Sequence, residues 1–211
     1  MFYSANIDRW VSAFDNALRT LTGTPMATRA NPADAVKAVE LSAADTRHAG
    51  GLMRVNHSGE ICAQALYHGQ AITAQDAATA ESMARAAREE ADHLAWCRQR
   101  LDELRTAPSL LNPVWYAGSW VIGALAGAVS TGWSLGFVVA TERQVAAHLQ
   151  RHLASLPIQD LRSRAIVEHM QSDEARHADQ AQAAGAVELP PAVTRAMAAT
   201  ARIMTTLAYR L

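Results

Sequence analysis

The chain has 211 residues, half of them hydrophobic and 18% charged, with a formal net charge of −1. That length suits one sizeable domain, and the near-neutral balance excludes the basic stripe that a nucleic-acid surface requires. The 19 basic residues are 18 arginines and Lys37, scattered without a run, so no nucleic-acid partner is expected.

The first ten residues carry Asp8 and no apolar core of a secretory signal, so a reducing cytoplasm is the expected compartment. Ile7, Trp10, Val11, Phe14, Leu18 and Leu21 recur with a period near 3.6 and predict a first helix over 7–22. Gly, Pro and Asn make 23–33 a loop. Long helical patterns follow at about 46–76 and 79–105, and Pro108 and Pro113 bracket a break. Two more helices are expected over 114–130 and 132–155, joined near Gly132. Pro157 marks a turn, 158–184 is helical again, Gly185 ends it, and Pro190-Pro191 open a last helix to about 210. No strand-like alternation interrupts this series, which predicts an all-α fold: a four-helix bundle with additional helices. Residues 1–45 form an N-terminal helix and loop, and 46–211 the bundle domain. Cys62 and Cys97 are too few for a disulfide framework or a thiolate zinc site and are expected to pack as small apolar residues.

Two stretches place charge where the helical patterns call for core. In "REEADHLAWC" the stripe reads Met83, Ala87, Glu90, His93, Leu94, Cys97, Leu101; in "QSDEARHADQ" it reads Ile166, Met170, Glu174, His177, Ala181. Residues at i and i+3 neighbour each other on one helix face, so each Glu-x-x-His pair aims at one point. A buried carboxylate needs a partner, and a metal uses both groups. The preceding helices each hold one core acid: Glu60, with Asn56 and Tyr67 on the same face, and Glu142, between Val138 and Val145. The chain therefore carries one module twice, a helix with one Glu followed by a helix with Glu-x-x-His. Four carboxylates and two imidazoles are the ligand set of ferritin-like bundles holding two irons or two manganese ions, and oxygen and nitrogen donors suit those metals better than a structural zinc.

The remaining histidines invite plainer readings. His148 sits on the Glu142 helix, off the ligand direction, as a candidate for hydrogen-bonding a ligand carboxylate; Tyr67, two turns after Glu60, is a second candidate near the metals. His57 precedes Glu60 by a turn and is placed to orient it. His148 and His152 have zinc-compatible spacing, but nothing completes such a site. His48, His68 and His169 read as surface or capping residues.

Residues 106–141 contain no Asp, Glu, Lys, Arg or His. Hydropathy alone allows a membrane span there, but Glu142 must return to the same site as Glu60 and Glu90. The expectation is therefore an apolar segment lying on a membrane, with Trp115, Tyr116 and Trp120 near its interface.

The stretches "RVNHSGEICAQALYHGQ", "EEADHL", "LNPVWYAGSWVIGALAG", "TERQVAAHL", "DEARHAD" and "IMTTLAYRL" resemble the demethoxyubiquinone hydroxylase family, ferritin-like di-iron monooxygenases, over about 46–211. Asn56, Cys62 and Leu149 depart from that pattern, where Asp, Gly and Tyr are expected; none is a candidate ligand. The resemblance implies two irons held by Glu60, Glu90, His93, Glu142, Glu174 and His177, with dioxygen as co-substrate. It implies hydroxylation of a polyprenyl methoxy-methyl-benzoquinol at its last unsubstituted ring carbon, with NADH as ultimate electron donor. A peripheral position on the cytoplasmic face of the cell membrane, contact with other ubiquinone-biosynthesis proteins and a homo-oligomer are further expectations. Two alternatives stand beside this reading: a ferritin-like protein that handles iron or destroys peroxide, and a helical scaffold without enzymatic activity.

Overall fold

The structure, a computed structural model, describes residues 2–23 and 25–211. Thr24 of the expected loop and the side chain of Ile7 lie outside what is described. The described residues form helices and no strand: α1 Phe2–Thr22, α2 Ala43–Thr73, α3 Ala77–Glu103, α4 Asn112–Val129, α5 Thr131–Ser155, α6 Leu161–Ala183 and α7 Pro191–Ala208. A single 3-10 turn, Pro32–Ala35, interrupts the loop after α1.

Local chemistry sets the ends. Ser42, Asp76, Ser130 and Asp160 each accept a backbone N–H of the first turn of α2, α3, α5 and α6, satisfying donors that the helix leaves free. Proline opens α4 and α7, where its missing N–H costs nothing. Gly185, at φ 102°, ends α6 in the left-handed region. The α4–α5 junction falls at Ser130 rather than near Gly132: Ser130 is extended, at φ −170°, and its hydroxyl caps Trp133 N. Gly132 lies inside α5, where its carbonyl accepts Val187 N–H.

α2 packs against α3 and α4, α5 against α6, and α3 faces α6. Close approach of α2 and α4 depends on two glycines: a Cβ on Gly69 would lie 2.2 Å from Trp120 O, and one on Gly123 would lie 2.2 Å from Leu66 O. At one end of the bundle Met53, Trp96, Cys97, Leu101, Leu149, Ile166 and Met170 form the largest core cluster; Tyr67, Met83, Leu135, Val138 and Ala181 form a second. Cys62 and Cys97 are free thiols.

No helix among the described residues is long and apolar enough to cross a membrane. The uncharged stretch instead supplies a helix that is buried on one side only. Val114, Val121, Leu125 and Val129 of α4 are exposed, but Tyr116 points inward, 5% exposed, and its hydroxyl lies 3.1 Å from His68 Nδ1. The expected position of Tyr116 at an outer interface is therefore incorrect. Trp120 is half-buried against Trp10 of α1, with ring centroids 6.0 Å apart.

Candidate metal centre

Glu60 of α2, Glu90 and His93 of α3, Glu142 of α5, and Glu174 and His177 of α6 all project into the bundle interior, each no more than 6% exposed. Their helices bring them together because each lies on the apolar stripe that its helix buries. Glu60, Glu90, His93 and Glu174 each offer a ligand atom, and these four atoms lie within 4.8 Å of one another.

Two carboxylates span both imidazoles. Glu90 has Oε2 2.8 Å from His93 Nδ1 and Oε1 3.1 Å from His177 Nδ1. Glu174 has Oε1 3.2 Å from His93 Nδ1 and Oε2 3.6 Å from His177 Nδ1. Glu60 Oε2 stands 3.7 Å from His93 Nδ1. Glu142 lies beside Glu174 and accepts a hydrogen bond from the Tyr67 hydroxyl. Glu60 Oε2, both oxygens of Glu90, Glu174 Oε2 and the Nδ1 atoms of His93 and His177 are buried without a hydrogen-bond partner. Buried polar atoms are normally satisfied; six that converge unsatisfied are what a cation would occupy.

The outer edges of the imidazoles are held reciprocally. His93 Nε2 on α3 lies 3.0 Å from Asp173 Oδ2 on α6, and His177 Nε2 on α6 lies 3.0 Å from Glu89 Oε2 on α3. Each acid directly precedes the opposite helix's core glutamate. A carboxylate at Nε2 fixes the proton there and leaves Nδ1 as the donor atom toward a metal.

The ubiquinone biosynthesis protein COQ7 family model matches residues 47–208. This chain belongs to the COQ7 family. It is 56% identical to the 3-demethoxyubiquinol 3-hydroxylase of Ralstonia pickettii (strain 12J), covering 97% of this chain and 100% of that protein. It is 57% identical to the protein of the same name from Xanthomonas euvesicatoria pv. vesicatoria (strain 85-10), covering 97% of this chain and 94% of the relative.

Charge in this COQ7-family centre is shared unevenly. Burial raises Glu60 to about 8, with Glu90 and Glu174 adding to the effect. Burial, then the charges of Glu174 and Glu90, raises Glu142 well above the carboxylate range. Burial also opposes ionisation of Glu90, but the charges of His93 and His177 outweigh it and hold Glu90 low. His177 is desolvated yet rises to about 10 beside Glu174 and Glu90. Protons thus occupy the metal-free cluster where cations would otherwise balance four carboxylates.

Sequence reasoning missed several residues around this COQ7-family centre. Asp173, Glu89, Asp92 and Arg29 were not singled out, although an acid precedes the core Glu in both modules, "EEADH" and "DEARH". The N-terminal segment, given no role in the sequence reading, reaches the outer acids through Thr28 and Arg29. His148 is not joined to the carboxylates by a hydrogen bond: its ring centroid is 3.9 Å from that of His152, and its Nε2 is buried without a partner. His57 likewise has Nδ1 unpartnered and makes no hydrogen bond to Glu60. His48 does cap, with Nε2 3.0 Å from Ser155 O at the end of α5, and His169 is exposed.

Two cavities adjoin the centre. One, of about 100 Å³, is lined by Tyr67, Met83, Leu135, Val138, Ala181 and His177. The other, of about 10 Å³, lies between α2 and α5 and reaches Glu142. Tyr67 lines both, and His93 lines neither.

Proposed function

We propose that this chain hydroxylates 3-demethoxyubiquinol, a polyprenyl methoxy-methyl-benzoquinol, at its last unsubstituted ring carbon. The observation that carries the reading is the convergence of the buried carboxylate oxygens and imidazole Nδ1 atoms of Glu60, Glu90, His93, Glu174 and His177 in a chain that matches hydroxylases of that name over nearly its whole length.

Glu60, Glu90, His93, Glu142, Glu174 and His177 would hold two irons. When bound, the irons would supply the redox chemistry for a reaction in which one atom of dioxygen enters the ring and the other leaves as water, the electrons coming ultimately from NADH. Asp173 and Glu89 keep Nδ1 of each imidazole free to act as donor. Tyr67 holds Glu142 in place from the cavity side. Trp96, Met170 and Cys97, each under 2% exposed, keep water from the closed face of the cluster. The quinol ring approaches the Glu142–His177 half, because both cavities open there and Trp96 packs 5.3 Å from the His93 ring on the other half.

The substrate's isoprenoid tail dissolves in lipid, so the reading includes peripheral attachment to the cytoplasmic face of the cell membrane. Contact with other ubiquinone-biosynthesis proteins and a homo-oligomer belong to the same reading.

The test is a quinone profile by mass spectrometry in a strain lacking the gene, complemented with the wild type or with Glu142→Ala. The demethoxy quinone accumulates in the deletion strain, and only the wild type restores ubiquinone. Normal ubiquinone in the deletion strain, with no second hydroxylase present, overturns the substrate assignment and turns attention to iron or peroxide handling.

A further inference from the structure

We propose that Arg29, in the loop between α1 and α2, is a positioning residue of the metal centre and sets the orientation of His93 but not of His177. The inference rests on the two-metal reading above and adds to it an inequality between the two halves of the centre.

The loop reaches the site through one side chain with three attachments. Arg29 Nε donates to Asp92 Oδ2 at 2.6 Å, and its Nη1 donates to Asp173 Oδ2 at 2.7 Å. The guanidinium carbon lies 4.8 Å from the centroid of the Trp96 ring, a favourable stacking for a planar cation. Thr28 N–H adds a 2.6 Å bond to Asp92 Oδ1. Asn31 Nδ2 donates to Gln99 Oε1 at 3.0 Å, anchoring the loop further along α3.

Asp173 Oδ2 is the atom that matters. It receives Arg29 Nη1 and also stands 3.0 Å from His93 Nε2. Its other oxygen accepts only from Arg176, one turn along the same helix and half exposed. Arg29 therefore ties the acid that orients His93 to α3 itself, through Asp92. Trp96 lies against both: the guanidinium carbon of Arg29 is 4.8 Å from its ring centroid and the His93 ring centroid is 5.3 Å away, so the three side chains pack as one unit.

The other half lacks such a device. Glu89, the partner of His177 Nε2, has a side chain 41% exposed, and among the described residues no arginine or lysine pairs with it. One imidazole is oriented by an aspartate that a cation 144 residues away in sequence holds in place. The other is held by a half-exposed carboxylate beside the larger cavity.

Removing an outer partner of this kind typically costs about 10- to 100-fold in metal affinity. The test is anaerobic titration of the full-length metal-free chain with Co²⁺, followed by visible absorption. Wild type takes up two Co²⁺ per chain. Arg29→Met weakens one binding step by about 10- to 100-fold and leaves the other unchanged, and Glu89→Gln weakens the opposite step. Arg29→Lys, which keeps the charge and loses the fork, falls between wild type and Met at the same step. Arg29→Met with both steps as in wild type overturns the inference, and so does equal weakening of both. Should Arg29→Met lose its helical circular dichroism, Arg29→Lys decides alone, with unchanged steps refuting the role. A wild type that binds no Co²⁺ overturns the two-metal reading itself and the inference with it, a failure visible before any variant is made.

Discussion

The hydroxyl of Tyr67 on α2 donates a hydrogen bond to Oε1 of Glu142 on α5, with both residues at most 3% exposed. Burial raises the Tyr67 hydroxyl well above its ordinary value, and the Glu142 charge adds to this, so Tyr67 stays protonated and remains a donor. With Val138, it lines both cavities.

Tyr67→Phe removes that donor and keeps the ring that packs with Met83, Leu135 and Val138. The variant is expected to fold and to retain two metals per chain. Its turnover falls by about 10- to 100-fold, the usual cost of losing a partner to a ligand. Metal analysis together with quinol hydroxylation checks this, and a Phe variant with wild-type turnover removes Tyr67 from the working site.

Glu90 and Glu142 are both buried core acids, yet their replacement has opposite effects on the metal-free chain. Glu90 stays ionised against His93 and His177, so Glu90→Gln removes the carboxylate nearest both imidazoles, leaves Glu174 facing them, and destabilises by about 1–3 kcal/mol. Glu142 is raised by burial and by Glu174 and Glu90. A raised acid contributes stability below its unfolded value and loses it as pH rises, so Glu142→Gln stabilises the metal-free chain, more at pH 8 than at pH 5. Both variants lose metal. Thermal unfolding of metal-free proteins at the two pH values separates the signs, and equal destabilisation by both substitutions contradicts the charge assignment.

Much of this centre is legible in the sequence because its signals are local. A Glu-x-x-His pair on a helical stripe is read within one turn, and its repetition supplies the rest of the set. The helices are legible for the same reason: Ser42, Asp76, Gly185 and Pro191 mark ends by chemistry that acts over a few residues. Arg29 was not legible. Its partners lie 63 and 144 residues away, and in sequence it is one of 18 dispersed arginines. Asp173 and Glu89 were half legible, since an acid precedes the core Glu twice, but only the crossing of α3 and α6 pairs each with the opposite histidine. Tyr116 misled because an aromatic in an uncharged stretch suits a membrane interface and a core equally, and the partner that drew it inward is His68 on another helix.

Stability of the metal-free chain is expected to peak near pH 6.5. Burial lowers His57, His68 and His148 from 6.5 to about 4, and His152 to about 3. Groups lowered in the folded state contribute stability above 6.5 that is lost as pH falls toward 4, because the unfolded chain takes up protons first. Glu60, raised to about 8, and His177, raised to about 10, act in the other direction and lose their contribution as pH rises. Metal replaces the protons on these candidate ligands, so loading removes the alkaline loss and leaves the acid one. Unfolding midpoints at pH 5, 6.5 and 8.5, with and without Fe²⁺ under anaerobic conditions, test this. A metal-free midpoint that still climbs from 6.5 to 8.5 is incompatible with it.

The outer face of α4 and the exposed side of α1 define where lipid contact is expected. Val114, Val121, Leu125 and Val129 lie along one side of a helix that carries no charged residue, and each is at least half exposed. Trp10, Val11, Phe14 and Leu18 extend the surface across α1, which meets α4 at the Trp10–Trp120 contact. A continuous apolar face without a partner helix suits insertion among lipid headgroups rather than a span. The double substitution Val121→Asp, Leu125→Asp places two charges on that face without touching the interior, so helix content and metal stoichiometry stay as in wild type. Flotation with vesicles of mixed neutral and anionic phospholipid is expected to carry the wild type upward and leave the variant in the dense fraction. If both float alike, lipid contact lies elsewhere on the chain; if neither floats, the apolar face is a surface for protein and not for membrane.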